Sequence, residues 1–317
     1  MSAYNPKLPL NALLEKTAKT YPEKTALIYG NQELSYAKLD HVANQFANAL
    51  IGLNVRKDDR VALYLPNTPQ FVIAYFGALK AGAVVSAISP LHREREVQAQ
   101  LVDSGAEAIV TLEDFKSVVA NIKAKTKVKH FIAAAVDDFT FSGLLSDVST
   151  DKPSIKVSSE DLAALQYTGG TTGIPKAAML THRNLSSNAK QFANAIKATA
   201  GDVFLTALPL FHIYGLTTSL TVPIIVGAKM VLLPKFESAK ALEAIQRHKV
   251  SIFCGVPIMY QLLLGQADLG KYDLTSVRVC ISGASALPPQ VQKRFMAVTG
   301  GFLAEGYGLS EASPVTH

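Results

Sequence analysis

The chain has 317 residues, enough for two domains or for one large α/β unit with two lobes. Its composition, 49% hydrophobic and 18% charged, is that of a soluble globular protein, and the net charge of +6 is mild for this length. Because no dense lysine and arginine block with interleaved aromatics occurs, nucleic acid is not expected as a partner, whereas small polyanions suit a diffuse basic excess.

In the first half, short apolar strands alternate with amphipathic helices. Strands are predicted at RVALYL (60–65), AVVSAI (83–88) and AEAIVTL (106–112). Helical spacing separates them in TPQFVIAYFGALKAG and REREVQAQLVDSG, and both of these segments end in glycine. This alternation predicts βαβ units and a parallel sheet. Upstream, TALIYGNQELSY predicts a hairpin that turns at Gly30 and Asn31.

From about Val136 to Glu160 the chain is rich in serine, aspartate and threonine. This composition predicts a connection between two lobes, with residues 1–150 as the first and 151–317 as the second. Alternation then resumes. Strands are predicted at VFLTALP, KMVLLP, VSIFCGV and VRVCIS, and helices at SAKALEAIQRH and PPQVQKRFMAV.

The stretch from Val203 to Ala228 carries no charged residue and is long enough to span a bilayer. Prolines, a glycine and a histidine interrupt it, so we predict a buried strand, a loop and a core helix, and no transmembrane segment.

The two cysteines, Cys254 and Cys280, lie in apolar runs without metal-ligand spacing. Buried free thiols in a reducing compartment are therefore expected, and the N-terminus MSAYNPKLPL lacks the apolar region of a signal peptide, which favours the cytoplasm.

YTGGTTGIPK (167–176) concentrates glycines, hydroxyls and a lysine behind the predicted strand DLAALQYT. Glycines let a ligand approach backbone N–H groups, threonines add hydroxyl donors, and the lysine adds a mobile positive charge. The residues concerned are Thr168, Gly169, Gly170, Thr171, Thr172, Gly173 and Lys176. Together they suit an anion with several oxygens, such as a triphosphate; a glycine- and threonine-rich turn that binds nothing is the alternative.

The spacing of this loop differs from the usual phosphate loop, GxxxxGK[ST] followed by a helix. Ile174 and Pro175 separate Gly173 from Lys176, the following AAML predicts a strand, and a helix begins only around THRNLSSNAKQFANAIK. The mechanism of kinases and GTPases that use a Walker loop therefore cannot be applied to this loop. Within that helix we expect His182 to be structural.

Three further stretches carry chemistry at predicted strand ends. ALPLFHIYGL (207–216) holds His212 and Tyr214, and ISGASALP (281–288) supplies a second glycine-bearing loop. EGYGLSEASP (305–314) places an aromatic, a hydroxyl and a carboxylate within five residues. Either tyrosine, Tyr214 or Tyr307, also suits a plain core position, whereas Glu311 would need a cation or donors if it were buried.

The order and spacing of these four motifs resemble the adenylate-forming (AMP-binding) superfamily: acyl-CoA synthetases, luciferase-like ligases and peptide-synthetase adenylation domains. LQYTGGTTGIPKAAMLTHRNL is similar in particular to the long-chain fatty-acid–CoA ligases, and SPLHREREVQAQLVDSGAEAIV resembles their upstream segment, so the likeness spans nearly the whole chain. The resemblance implies an α/β fold of two αβα lobes with mostly parallel sheets, and the start of a small β-barrel subdomain.

The resemblance also implies roles for individual residues. Thr168 to Lys176 would hold the β- and γ-phosphates of ATP, and Thr172 and Glu311 would bind Mg²⁺. The nucleotide set would further include Gly283, Ala284, Ser285, Glu305, Gly306, Tyr307, Gly308 and Ser310. In that set Tyr307 would lie against the adenine, and Ser310 would hydrogen-bond the α-phosphate. His212 would sit where the carboxylate meets the α-phosphate, beside Ile213 and Tyr214 in the acyl pocket. The implied catalytic residues are Thr172, His212 and Glu311.

The implied reaction has two steps: a fatty carboxylate attacks Mg·ATP to give acyl-AMP, and CoA then displaces AMP. The family's later aspartate motif, hinge and small C-terminal domain are absent from these 317 residues. The resemblance therefore implies the N-terminal, substrate-binding part of a longer enzyme, poorly active alone. The alternatives left open are a 4-coumarate–CoA-ligase-like enzyme, which FHIYGL also fits, a fatty acyl-AMP ligase, and a non-catalytic adenylate-binding module. A homodimer and peripheral membrane contact also remain open.

Overall fold

The computed structural model describes residues 8–136, 138–141, 143–168 and 176–317, which form two compact units. The first unit comprises residues 8–24 and Ser35–Ser187. The second comprises Thr25–Leu34 and Asn188–His317. Each unit is built around one sheet of mostly parallel strands, so the predicted α/β class is confirmed.

The helices and strands follow in chain order. The helices are α1 (Leu10–Thr20), α2 (Tyr36–Gly52), α3 (Pro69–Lys80), α4 (Glu94–Ser104), α5 (Lys116–Ile122), α6 (His182–Ala195), α7 (Ile213–Gly215), α8 (Val222–Val226), α9 (Ser238–His248), α10 (Pro257–Leu264) and α11 (Pro289–Thr299). The strands are β1 (Thr25–Tyr29), β2 (Gln32–Ser35), β3 (Arg60–Tyr64), β4 (Val84–Ala87), β5 (Ala108–Leu112), β6 (His130–Ala134), β7 (Leu162–Thr168), β8 (Lys176–Thr181), β9 (Val203–Thr206), β10 (Lys229–Leu232), β11 (Ile252–Gly255), β12 (Val279–Ser282) and β13 (Phe302–Glu305).

The sheet of the first unit has the strand order β6-β5-β3-β4-β7-β8. Its strands pair in parallel except β7 and β8, which form an antiparallel pair. Every residue of β4 and β5 is buried, as expected for parallel strands covered on both faces. Every residue of α3 is buried as well, and Gly77 lets α2 approach so closely that a Cβ there would lie 2.7 Å from Cδ1 of Phe46.

The serine- and aspartate-rich segment after β6 is irregular, as predicted, but it does not connect two lobes. It leads from β6 to β7 within one sheet, because β7 pairs with β4. Amide side chains of α2 hold it: Asn44 donates to Thr150 O at 2.9 Å, and Asn48 donates to Ser149 O and Asp151 O at 2.9 Å. The boundary predicted near residue 150 therefore differs from the observed division after Ser187. The amino-acid composition identified this segment as a loop, but composition carries no information on which sheet the next strand joins.

The sheet of the second unit has the order β13-β12-β11-β9-β10-β1-β2, with parallel pairing from β13 to β1. The hairpin predicted around Gly30 and Asn31 is present as β1 and β2. It joins this sheet through β1, which places Ile28 opposite Val231 of β10. All thirteen strands named above belong to the two open sheets, so the described residues form no closed barrel.

The uncharged stretch after Val203 forms β9, a loop and a buried helical segment, as predicted. That segment consists of α7, a π-helical turn at Leu216–Thr221 and α8. The three threonines of the π-helical turn are buried and donate to backbone carbonyls; Thr218 Oγ1, for example, donates to Tyr214 O at 2.7 Å. Within the described residues, no helix combines the length and apolar character needed to cross a bilayer.

The side chains of Cys254 and Cys280 are free and buried on β11 and β12. Burial raises the pKa of the Cys254 thiol to about 12, because an apolar environment disfavours the thiolate. The expectation of buried free thiols is thus met.

His182 begins α6 in the first unit and is only 1% exposed. Its Nδ1 accepts the backbone N–H of Leu10 at 3.2 Å, which fixes the start of α1. Desolvation by the surrounding protein lowers the pKa of His182 to about 4, although the nearby carboxylate of Asp161 acts in the opposite direction. The geometry agrees with the structural role expected for this residue.

We predict that His182 makes stability pH-dependent. The unfolded chain takes up a proton near pH 6.5, whereas the folded protein resists protonation down to about pH 4. The free energy of unfolding should therefore fall as pH drops through this window, by on the order of 3 kcal/mol at full shift. In His182→Asn the amide oxygen can still accept the Leu10 N–H but cannot titrate. The free energy of unfolding, measured with urea at pH 7, 5.5 and 4.5, should therefore fall less steeply with decreasing pH than in the wild type.

The matched control is His41→Asn, at an exposed histidine of α2. It should keep the wild-type dependence on pH. If the free energy of unfolding depends on pH identically in wild type and His182→Asn, His182 is not the source of the pH dependence.

Candidate active site

A pocket of about 220 Å³ lies in the second unit, where β12 and β13 reach their carboxyl ends beside the start of α7. In open parallel sheets this edge is the usual place for a ligand. The predicted site residues that line the pocket are His212, Ile213, Tyr214, Gly283, Ala284, Gly306, Tyr307, Gly308 and Ser310. Three of the separate sequence motifs therefore converge on one cavity.

His212 caps the N-terminus of α7, and its Nδ1 accepts the backbone N–H of Tyr214 at 3.2 Å. Because Nδ1 is an acceptor, the neutral ring carries its proton on Nε2, which is left as a donor. The ring is solvent-accessible, yet the protein around it removes enough water to lower the pKa of His212 below its ordinary value. The geometry and the pKa together favour a neutral imidazole that can donate one hydrogen bond.

Tyr214 forms an apolar wall of the pocket. Its hydroxyl donates to Ile281 O at 2.9 Å, and burial raises its pKa well above the ordinary value. The ring lies against Gly283, where a Cβ would come within 3.1 Å of two ring carbons. Because the hydroxyl is already engaged, the ring face is the part of Tyr214 that remains for a ligand.

The segment after β13 carries Tyr307, Gly308 and Ser310 and turns back on itself. Tyr307 N donates to His317 O at 2.8 Å, and His317 N donates to Tyr307 O at 3.1 Å. Gly308 packs directly on the returning backbone, because a Cβ there would lie 2.2 Å from Pro314 O. The Tyr307 side chain is 65% exposed, which excludes the core position considered for it and leaves its ring face available.

Three predicted residues lie beside the pocket rather than in its lining. Glu305 accepts the backbone N–H of Leu287 at 3.0 Å, so its carboxylate joins the end of β13 to the loop after β12. Ser285 is exposed in that loop, next to Ala284, which adopts a left-handed φ of 69° that is uncommon outside glycine. Glu311 is also exposed, so burial does not force a cation on its carboxylate.

Thr168 and Lys176, the described ends of the glycine- and threonine-rich loop, belong to the first unit. Thr168, the last residue of β7, pairs with Lys176, the first residue of β8, and Lys176 is exposed. Gly169, Gly170, Thr171, Thr172 and Gly173 lie outside the described residues. A strand follows the loop and α6 begins only at His182, which confirms that the arrangement differs from the strand–loop–helix of a Walker motif.

Several pocket residues were not singled out from the sequence. They are Phe192, Ile281, Leu309, Pro314 and Val315. A signal existed for Ile281, because it lies at the end of a predicted strand, two residues before the glycine of the loop that follows. For Phe192, on the apolar stripe of α6, no local signal distinguishes a pocket residue from a core residue.

Comparison with known proteins supports the resemblance seen in the motifs. The model of the family described as AMP-binding enzyme matches residues 14–317. A long-chain-fatty-acid–CoA ligase of Bacillus subtilis is 38% identical over 98% of this chain and 61% of its own length. A 4-coumarate–CoA ligase of Solanum tuberosum is 33% identical over 98% of this chain and 59% of its own.

A solved structure of an anthranilate CoA ligase in complex with anthranoyl-AMP superposes with a TM-score of 0.92 at 27% identity. The superposition covers 98% of this chain and 62% of that one. The chain thus spans about 60% of the length of the curated relatives it matches.

We predict that Gly308 is required for the turn that shapes the pocket. In Gly308→Ala the new methyl group would meet backbone atoms of Pro314, which have no flexible end to move aside. We expect the free energy of unfolding of the second unit to fall by about 1–3 kcal/mol. Urea denaturation should be measured for Gly308→Ala and for a control variant, Gly270→Ala, in which the added Cβ has open space. Equal stability of the two variants would show that the close approach is not real.

Proposed function

Because this chain belongs to the AMP-binding enzyme family, we propose that it is the substrate-binding part of a fatty-acid–CoA ligase. The enzyme would activate a medium- or long-chain fatty acid with ATP to acyl-AMP and then transfer the acyl group to CoA. The proposal rests on the 38% identity to a long-chain-fatty-acid–CoA ligase and on one structural observation. That observation is the pocket itself, which combines an exposed aromatic ring, strand-end glycines, a hydroxyl and an apolar side.

The proposed arrangement follows from the chemistry of each side of the pocket. The adenine would stack on the exposed ring of Tyr307, since aromatic faces accept bases without a fixed hydrogen-bond pattern. Ser310 would donate to the α-phosphate, and His212 Nε2–H would donate to oxygens where the carboxylate meets that phosphate. The acyl group would lie against the ring of Tyr214 and the side chain of Ile281.

No protein nucleophile is needed for either step. The fatty-acid carboxylate oxygen attacks the α-phosphorus of ATP, and the bond from that phosphorus to pyrophosphate breaks. The CoA sulfur then attacks the acyl carbon, and AMP leaves with the bonding electrons. The chain contributes positioning and hydrogen bonds to charge that develops on oxygen. For the β- and γ-phosphates we propose the loop from Thr168 to Lys176, whose lysine is exposed.

A magnesium ion bound with ATP would neutralise charge on the phosphate oxygens. Mg²⁺ of this kind is usually held by one or two carboxylates and the substrate phosphates rather than by a protein cage. The part of the chain that the structure describes has no group of three or more histidine, cysteine, aspartate or glutamate side chains that could hold a metal. It does present the exposed carboxylate of Glu311 next to Ser310, a donor set that fits an ion arriving with the nucleotide. Thr172, the other proposed ligand, lies outside the described residues.

The second candidate is an aryl-CoA ligase of the 4-coumarate type. The observation that favours it is the pocket volume of about 220 Å³, together with a Tyr214 ring that its hydroxyl bond holds against Gly283. A compact aromatic acid would fit such a wall without displacing it. The 33% identity to a 4-coumarate–CoA ligase supports the same candidate.

We further propose a cytoplasmic location, supported by the two free buried cysteines. Peripheral membrane contact and a homodimer are also proposals. The surface feature that supports both is the pair Ile258 and Leu262, which are 53% and 47% exposed one turn apart on α10.

We predict that the chain binds a non-hydrolysable acyl-adenylate mimic with a preference that reports its substrate. Isothermal titration with dodecanoyl, coumaroyl and acetyl sulfamoyl-adenosine should give the tightest binding for the dodecanoyl compound. Tightest binding of the coumaroyl compound would favour the aryl-CoA ligase instead. Tyr307→Ala should weaken binding of all three by about 5- to 150-fold through lost stacking, and Tyr307→Phe should restore it. Failure of all three compounds to bind would contradict the proposed function.

We predict that His212 contributes a hydrogen bond rather than only a helix cap. Asn at this position can still accept the Tyr214 N–H but has no counterpart of Nε2–H at the same reach. His212→Asn should therefore retain wild-type thermal stability and bind the anionic sulfamoyl mimic about tenfold more weakly or worse. His212→Ala should lose both, because the cap is also removed. Unchanged affinity of His212→Asn would remove this residue from the proposed chemistry.

A further inference from the structure

Asn188 lies on α6, in the second unit, and is 6% exposed. Its Nδ2 donates to Val315 O at 2.7 Å and to Ala312 O at 3.2 Å. Its Oδ1 accepts the N–H of Val315 at 3.2 Å. A single side chain thus satisfies both backbone polar groups of Val315 and a third group on the same loop, although it is more than a hundred residues distant in sequence.

The three hydrogen bonds of the Asn188 amide constrain the direction of the loop backbone. An amide group that pairs with the N–H and C=O of one residue fixes that peptide in the way a neighbouring strand would. Its third bond, to Ala312, fixes the orientation of the loop as well as its distance. Because Asn188 is only 6% exposed, water competes little with these bonds, and a missing partner would leave largely buried polar groups unpaired.

A second anchor reaches the same loop from another element. Thr217, in the π-helical turn, donates from Oγ1 to Ser313 O at 3.2 Å in a buried contact. The remaining bonds of the loop are local, such as Leu309 N to Pro314 O at 3.0 Å and Ser313 N to Ser310 O at 3.2 Å. Local bonds shape the loop, whereas Asn188 and Thr217 fix its place against the rest of the second unit.

We infer that Asn188 is a positioning residue for the candidate active site, and this inference rests on the proposed function. The loop that it holds carries Ser310, which we propose binds the phosphate, together with Val315, and both residues line the pocket. Asn188 does not line the pocket itself, so one buried amide holds the loop that carries Ser310 in place beside it. Binding geometry depends on such support because a small displacement of contacting groups forfeits their interactions.

The experiment compares Asn188→Ala and Asn188→Asp with the wild-type chain. Asp keeps the volume and an acceptor for Val315 N–H, but its second oxygen would face the two carbonyls to which the Asn188 amide now donates. Asn194→Ala and Asn194→Asp are the matched controls, since Asn194 is exposed on the same helix. Two quantities are measured for each: hydrogen–deuterium exchange of the amides in residues 309–317, and affinity for dodecanoyl sulfamoyl-adenosine.

We expect both Asn188 variants to exchange faster in residues 309–317, with β9 to β11 unchanged, and to bind the mimic about tenfold more weakly, while both Asn194 variants match wild type. Asn188→Asp should be at least as impaired as Asn188→Ala, which separates hydrogen bonding from packing.

Unchanged exchange would overturn the clamp, and faster exchange with unchanged affinity would overturn the positioning role. A merely structural role would lower the free energy of unfolding but leave the affinity of the folded protein intact. If wild type fails to bind the mimic, the proposed function and the positioning role fall together, whereas the exchange result still decides whether the clamp exists.

Discussion

The parallel pairing of β9, β11, β12 and β13 is the constraint on which the candidate site depends. Parallel strands bring their carboxyl ends to one edge of the sheet, and the segments that leave these ends must share the space there. The loop before α7, the glycine-bearing loop after β12 and the turn after β13 are far apart in sequence but meet at this edge. The chemistry of the pocket therefore follows from strand order, and individual side chains refine it.

Around this edge, several polar groups near the cavity are already engaged. The Tyr214 hydroxyl, the Glu305 carboxylate and the Asn188 amide each bind backbone atoms of a neighbouring segment. The groups of this pocket that we propose for the nucleotide are the Nε2–H of His212, the exposed ring of Tyr307 and the hydroxyl of Ser310. Such a division, in which many residues position and few bind, is what a preorganised site requires.

Much of this architecture could be predicted from the sequence, for identifiable physical reasons. Short apolar runs located β3, β4 and β5, and helical spacing located α3 and α4, because the pattern of apolar residues reflects burial directly. Composition could not show that β7 returns to the sheet of β4, since strand partners are set by long-range packing. The pocket motifs were found through resemblance, whereas Asn188 and Phe192 were missed because a buried amide or aromatic on a helix has no local signature. The π-helical turn was missed for the same reason, since LTTSLT has the pattern of an ordinary buried helix.

The placement of the β1–β2 hairpin has a consequence for the gene as well as for the fold. The hairpin lies between α1 and α2 of the first unit, yet it completes the sheet of the second beside β10. Neither unit is thus encoded by one uninterrupted stretch of sequence, and no single truncation separates them cleanly. A shortened chain that began at Asn188 would leave the β10 edge without its partner strand and open to intermolecular pairing. On the ribosome, β1 and β2 emerge long before β10, so this sheet must wait for late-made residues before its first-made strands can pair.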